Sequence, residues 1–383
     1  MKTKDINQQA FFELLRTGLW SDGNPDIRID GTTDWQEVYQ LAQEQSVQGL
    51  VLQGIDWFKV QGSKFNIPQV LLLRWIGEVQ VIEQQNMEMN AFVAELIEKL
   101  RKNDAEALLV KGQGVAQCYE KPLWRCSGDV DLFLSDSNYE TAKRVLAPLA
   151  SEVETEYVGS KHLGMTIDGW VVELHGSLRV GLPNRINRVL DDIYTDTFNN
   201  GSVRSWNNNG TQILTLSKEN DIVYVFVHFF NHFYKEGVGL RQICDWCRLM
   251  WTYKDSLDYG LLEQRIKSAG LMSEWKAFGA LAIEYLGFPK DAMPLLDVRS
   301  KKENVRWRKK VDRIMEFILK SGNMGHNRDM SHFSKYPYLI RKCVSMGRRI
   351  SDLINHARIF PLDSLRFFPC IMFNGVRSAM RGE

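Results

Sequence analysis

Asp129 and Asp131 lie one residue apart in the run Gly128-Asp129-Val130-Asp131-Leu132-Phe133-Leu134. On a strand, alternation aims both carboxylates at the same side. Two anions held that close repel, and an apolar strand end keeps them cheaply only when a cation lies between them. Mg²⁺ is the expected ion, because a hard cation on carboxylate oxygens with spare coordination positions is what polyphosphate chemistry requires. The same spacing also fits a solvated strand end carrying two unrelated acids, so the flanking sequence must decide.

Upstream, Ala107-Leu108-Leu109-Val110 reads as a short buried strand ending in Lys111-Gly112-Gln113-Gly114, after which Val115 to Tyr119 resumes a helical pattern. A strand, a glycine turn and a helix start form a phosphate-binding arrangement: glycine lets the backbone approach, and the free N–H groups favour an anion. Downstream, residues 161–167 and 170–175 are alternating runs joined at Asp168-Gly169, a strong hairpin signal. On the second strand Glu173 and His175 share one face and Val172 and Leu174 the other. If that strand pairs beside the Asp129–Asp131 strand, Glu173 supplies a third carboxylate and the set suits a two-metal clamp.

This order of strand, Lys-Gly turn, helix, Arg, Asp-x-Asp, helix, hairpin and Glu-x-His resembles the nucleotidyltransferase fold of the DNA polymerase beta superfamily. More closely, it is similar to the bacterial group labelled uncharacterised nucleotidyltransferases. The matching residues are Lys111 and Gly112, Pro122 and Arg125, Asp129 and Asp131, and His162, Glu173 and His175. His228 and His232, followed by Arg241 and Asp245, fall where that group carries a helical His-x-x-x-His and an Asp-Trp. The resemblance extends to about Gly287. Where the wider superfamily has Gly-Ser or Gly-Gly in the turn, Gln113 follows Gly112.

The resemblance implies transfer of an NMP group from an NTP to an acceptor hydroxyl, with pyrophosphate released. Asp129, Asp131 and Glu173 are the expected ligands of two Mg²⁺ ions, Glu173 serving as the third ligand or as general base. Lys111, Gly112, Gln113 and Arg125 are the expected triphosphate contacts. His162, His175, His228 and His232 are candidates for supporting those groups or touching the acceptor. Two alternatives stay open: a nucleotide-binding module without transfer, and a metal hydrolase built on His228, His232 and Asp245. For the second, Phe229 stands where the metalloprotease pattern needs its glutamate. The acceptor and the base of the NTP are not legible.

The elements that must position these groups follow from periodicity. Apolar spacings of three and four predict helices over Ile6 to Leu19, Trp35 to Ile55 and Pro68 to Arg101, and another between Ser137 and Ser151 with Ala142, Val145, Leu146 and Leu149 on one face. Val203 to Trp206 and Thr211 to Leu216 flank Asn207-Asn208-Asn209-Gly210, a second hairpin, and Ser217 opens a helix. Arg241 and Asp245 have the spacing of an intrahelical pair, and Cys244 and Cys247 read as buried thiols. The expected fold is α+β: an N-terminal helical segment (1–104), a small mixed-sheet nucleotidyltransferase core (105–216) and a larger C-terminal helical domain (217–383).

Composition agrees with a globular enzyme: 44% hydrophobic, 25% charged, and no window of the roughly 18 apolar residues a membrane span needs. The six cysteines are scattered and the first residues carry no signal-peptide core, so a reducing, cytoplasmic setting is expected. Residues 301–383 hold 18 Lys or Arg against 7 Asp or Glu, an excess of +11, so the total of +1 leaves −10 on residues 1–300. The basic clusters, Arg306 to Lys310 and Arg341-Lys342 with Arg348-Arg349, and the aromatic stretch Ile359 to Phe373 either pack on the acidic body or meet an anionic membrane surface or RNA.

Overall fold

A computed structural model describes residues 6–21, 29, 32–63, 65–157, 161–235, 237–296, 301–325, 327, 338–369 and 373. Helices α1 (Ile6–Trp20), α2 (Trp35–Glu44), α3 (Gln48–Val60) and the 33-residue α4 (Gln69–Arg101) precede strand β1 (Leu108–Val110). The single helix expected over Trp35 to Ile55 is two. The chain turns at Ser46, whose φ of 54° lies in the left-handed region, and Gln45 is thereby turned inward to meet a later helix. A short helix α5 (Gly112–Ala116), β2 (Val130–Phe133), α6 (Asp136–Leu146), β3 (Glu152–Val153), β4 (His162–Ile167) and β5 (Trp170–His175) follow. Leu149, expected on the buried face of α6, is exposed, because Pro148 tightens the chain into a 3₁₀ turn after Leu146. Then come α7 (Asn184–Phe198), β6 (Val203–Asn208), β7 (Thr211–Leu216), α8 (Lys218–Lys235), α9 (Leu240–Tyr253), α10 (Tyr259–Ala269), α11 (Met272–Leu286), α12 (Lys301–Ser321), α13 (Tyr338–Ile359) and a last helical stretch over residues 361–369.

The strands form one mixed sheet of order β3-β4-β5-β2-β1-β7-β6. Both expected hairpins are present as two-residue turns, the second because β6 runs on through Asn207 and Asn208, and Asp168, Gly169, Asn209 and Gly210 all have positive φ. Alternation along β2 divides its side chains between two cores. Val130, Leu132 and Leu134 join Met89, Val93, Leu96 and Leu100 of α4 and Tyr139, Ala142 and Leu146 of α6 on one face. Phe133 turns to the other face, against Tyr194 and Phe198 of α7. Asp131 shares that side, which belongs to the larger cluster containing α1, α3, α8, α9 and α11. The architecture is α+β with helices on both sides of the sheet in sequence, and no described helix is long and apolar enough to cross a membrane.

The aromatic end of the chain packs on the body in part: Phe360 and Phe367 are buried against Phe230 and Tyr234 of α8. Lys310 of the first basic cluster lies 4.1 Å from the Phe360 ring centroid, and Arg308 pairs with Glu284 at 3.3 Å. The side chains of Arg306, Arg341, Lys342 and Arg349 lie outside the described residues, as do residues 370–372.

Candidate active site

β2 and β5 are parallel neighbours, and the register sets Asp131 opposite Glu173. One oxygen each from Asp129, Asp131 and Glu173 lies within 4.8 Å of the others. Val172 and Leu174 are fully buried on the opposite face, as the alternation of β5 predicts. Asp131 is 1% exposed, whereas Asp129 keeps part of its surface in solvent.

Cationic groups gather on these carboxylates. Lys111 Nζ and His175 Nε2 each lie 2.7 Å from the same oxygen, Asp131 Oδ1, and His175 Nε2 is 3.3 Å from Glu173 Oε2. His162 Nε2 donates to Glu173 Oε2 at 3.1 Å. Burial opposes a charge on His175, but the hydrogen bonds to Asp131 and Glu173 outweigh it and raise its pKa. Burial would raise Glu173, yet its bonds to His162 and His175 hold it well below the usual carboxylate range. Lys111 is held above the ordinary lysine value, the pull of Asp131 exceeding the cost of burial. Asp129 is pushed up, first by the Asp131 charge and then by desolvation.

Lys111 has φ 58° and ψ −145°, a backbone region that side chains avoid, at a cost on the order of 1–3 kcal/mol. That strain brings Nζ under the carboxylates directly after β1. Gly112 follows with φ 41°, and a β-carbon there would meet the Asp129 carbonyl oxygen at 3.5 Å, so the glycine turn and the Asp129 backbone adjoin. Gln113, expected at the triphosphate, is buried and turned away: its Nε2 donates 2.8 Å to Asn86 Oδ1 on α4. Asn86 also donates to the carbonyls of Leu123 and Arg125, and so ties the glycine turn to the segment that leads into β2.

Arg125 is likewise committed elsewhere. Its Nε and Nη2 each donate 2.7 Å to the two oxygens of Asp245, with both residues buried, and Tyr119 Oη donates to Asp245 Oδ1. Arg125, expected beside the triphosphate, instead forks onto Asp245, and this bidentate buried pair uses both Asp245 oxygens. The intrahelical pair expected between Arg241 and Asp245 is displaced for the same reason. The hydrolase set fails too, since His228, His232 and Asp245 do not converge among the described residues. Instead His228 and His232 join each other, Nε2 to Nε2 at 3.0 Å. Burial first, then the Lys111 charge and His232, push the His228 imidazole well down, so it is neutral. Tyr224, one turn earlier on α8, is buried and feels the charges of Lys111, Asp131 and Glu173. Cys244 and Cys247 are buried thiols, as expected, with burial raising both.

Sequence reasoning missed Asn86, Tyr224 and Arg241 as parts of this neighbourhood. Asn86 carried a usable signal: it sits seven residues from both Val79 and Val93 on the buried stripe of α4, where an amide needs specific partners. Tyr224 is spaced four residues before His228, but the helix it belongs to is buried nearly all round, so no stripe stands out.

Three carboxylates converging from two strands are the hard-oxygen donor set of a divalent cation. Their oxygens lie within 4.8 Å of one another, so the residues fit a divalent metal, with Lys111 and His175 beside the same Asp131 oxygen. Neither a curated protein nor a solved structure matches the chain. A family described as uncharacterised nucleotidyltransferase matches residues 31–287. With that match running through the glycine turn, the three carboxylates and the histidine helix, the chain belongs to the uncharacterised nucleotidyltransferase family.

Proposed function

We propose that the chain moves an NMP group from an NTP to an acceptor hydroxyl and releases pyrophosphate. The observation that carries this reading is the in-register pairing of Asp131 with Glu173 beside Asp129, next to a strained Lys-Gly turn. Mg²⁺ held by Asp129, Asp131 and Glu173 would supply the charge neutralisation that the triphosphate and its leaving group need. Lys111 and Gly112 flank the carboxylates from β1, the lysine adding positive charge and the glycine leaving room for a phosphate oxygen to approach the backbone.

Glu173 fits a ligand better than a base. A carboxylate held far below its usual range by two imidazoles is a weak proton acceptor. As the acceptor oxygen attacks the α-phosphorus and the bond to pyrophosphate breaks, its proton needs a destination. Asp129, one oxygen of which would hold Mg²⁺, reaches solvent in part and has no side-chain hydrogen-bond partner among the described residues, so its second oxygen suits that task. His228, joined to His232, offers with Tyr224 hydrogen-bonding groups that suit an acceptor or base contact.

The test is to incubate the protein with each labelled NTP, Mg²⁺ and a fractionated cell extract, following pyrophosphate and the labelled component. Pyrophosphate with a labelled product supports transfer. NTP binding with no pyrophosphate from any fraction supports the non-catalytic module, which the cationic groups on Asp131 and Glu173 also accommodate.

A further inference from the structure

Arg241 stands on the first turn of α9, with its Nη1 donating 2.8 Å to the Cys126 carbonyl oxygen. That carbonyl belongs to the segment Cys126-Ser127-Gly128 that runs straight into Asp129. Nη1 lies 4.0 Å from where a β-carbon on Gly128 would sit, while Gly112 abuts Asp129 from the other side. The guanidinium thus lies against the backbone that leads into Asp129.

Its own needs are unmet. Nε is buried without an acceptor, and no carboxylate among the described residues pairs with it. Asp245, four residues along the same helix, gives both oxygens to Arg125. Other guanidinium groups have stronger partners: Arg204 pairs with Asp221, Arg265 with Asp196 although its Nη1 stays unpaired, and Arg248 donates to the carbonyls of Cys118 and Leu19. Burial and the nearby Arg125 charge push Arg241 below the ordinary arginine value. A guanidinium left so short of acceptors is costly to keep unless an anion completes it.

We propose that Arg241 binds the pyrophosphate portion of the NTP. This rests on the nucleotidyl-transfer reading above. The triphosphate brings more negative charge beside three carboxylates, Lys111 is committed to Asp131, and Arg125 and Gln113 are committed elsewhere. Among the described residues Arg241 is the cation at the site that no carboxylate holds, and its planar fork matches phosphate oxygens. It lies against the Cys126–Gly128 backbone that precedes Asp129 in the chain, at the opposite end of the Asp129–Asp131 run from Asp131, which suits the departing β- and γ-phosphates.

The test is calorimetry of Mg²⁺ alone, Mg²⁺·pyrophosphate and Mg²⁺·NTP on wild type, R241A, R241K and D129N, with thermal unfolding of each. R241A should weaken Mg²⁺·pyrophosphate and Mg²⁺·NTP about ten- to a hundredfold, leaving Mg²⁺ alone unchanged. R241K should fall between, keeping the charge and losing the fork. Folded R241A with wild-type pyrophosphate affinity overturns the assignment and leaves Arg241 as a tie to the Cys126 carbonyl. Should R241A not fold, R241K decides: reduced affinity supports the proposal and wild-type affinity overturns it. A wild-type protein that binds neither Mg²⁺·NTP nor Mg²⁺·pyrophosphate removes the transfer reading and this proposal together. Loss in D129N with no loss in R241A removes this proposal alone.

Discussion

Asp131 and Glu173 face each other in register on β2 and β5, two parallel strands that are neighbours in the sheet although α6 and the β3–β4 pair intervene in the chain. A slip of one residue would turn Glu173 and His175 into the core against α4 and α6 and bring Val172 and Leu174 to the carboxylates. Full burial of those two apolar residues fixes the register. The packing of one face therefore determines the chemistry of the other.

The two aspartates should respond differently to neutralisation. Asp129→Asn relieves repulsion at a solvent-facing group and should leave stability unchanged or slightly higher. Asp131→Asn strips the buried Lys111 and His175 of their shared partner and should cost about 3 kcal/mol. Both should lose Mg²⁺-dependent NTP binding. Denaturant unfolding and calorimetry check the two halves separately, and equal stabilities of the variants would contradict the asymmetry.

The Arg125–Asp245 fork should behave as a structural pair. Removing one partner, by Arg125→Ala or Asp245→Asn, should cost about 3–5 kcal/mol because the other charge stays buried. Replacing both with apolar side chains of similar volume should recover most of that loss. A double-mutant cycle measures the coupling, and additive losses would argue against it.

Glu274 on α11 makes stability depend on pH. Burial first, then the nearby Asp363 carboxylate, push its carboxyl from 4.5 up to about 9. Between those values the folded chain holds one proton more than the unfolded chain, so stability falls as pH rises, by at most about 1.4 kcal/mol per unit. Lys310 moderates the effect and Arg185 pairs with Asp363 at 3.0 Å. Glu274→Gln should match wild type near pH 5 and exceed it near pH 8. Parallel stability profiles for the two proteins would show that Glu274 is ionised in the fold.

The last helical stretch should be needed for the fold. Phe367 is fully buried against Phe230 and Tyr234, so Phe367→Ala should cost about 3–5 kcal/mol. Truncation after Gly325 should lower the melting temperature and solubility by uncovering the aromatic face of α8. Wild-type stability of the truncated chain, together with salt-sensitive binding of anionic vesicles or RNA by the intact chain alone, would assign the basic region to recruitment instead.

Local patterns written in the sequence carried over directly into structure. The two-residue hairpin turns, the alternation of β2 and β5 and the strand–glycine–helix order after Leu108 are short-range, and side-chain period and turn chemistry specify them without reference to the rest of the chain. The convergence of Asp129, Asp131 and Glu173 was legible because it needs only one further fact, that β2 and β5 pair.

What the sequence left open are the choices among partners that only proximity in space resolves. By spacing alone Arg241 and Asp245 are the natural pair, yet Asp245 takes Arg125 from another element, and Arg241 is left with the Cys126 carbonyl. Gln113 stands in the glycine turn but meets Asn86 from a helix that ended before β1 began. An ionisable or amide side chain binds whichever complementary group the packing brings within about 3 Å, and that distance is a property of the assembled helices and sheet rather than of any local run of residues.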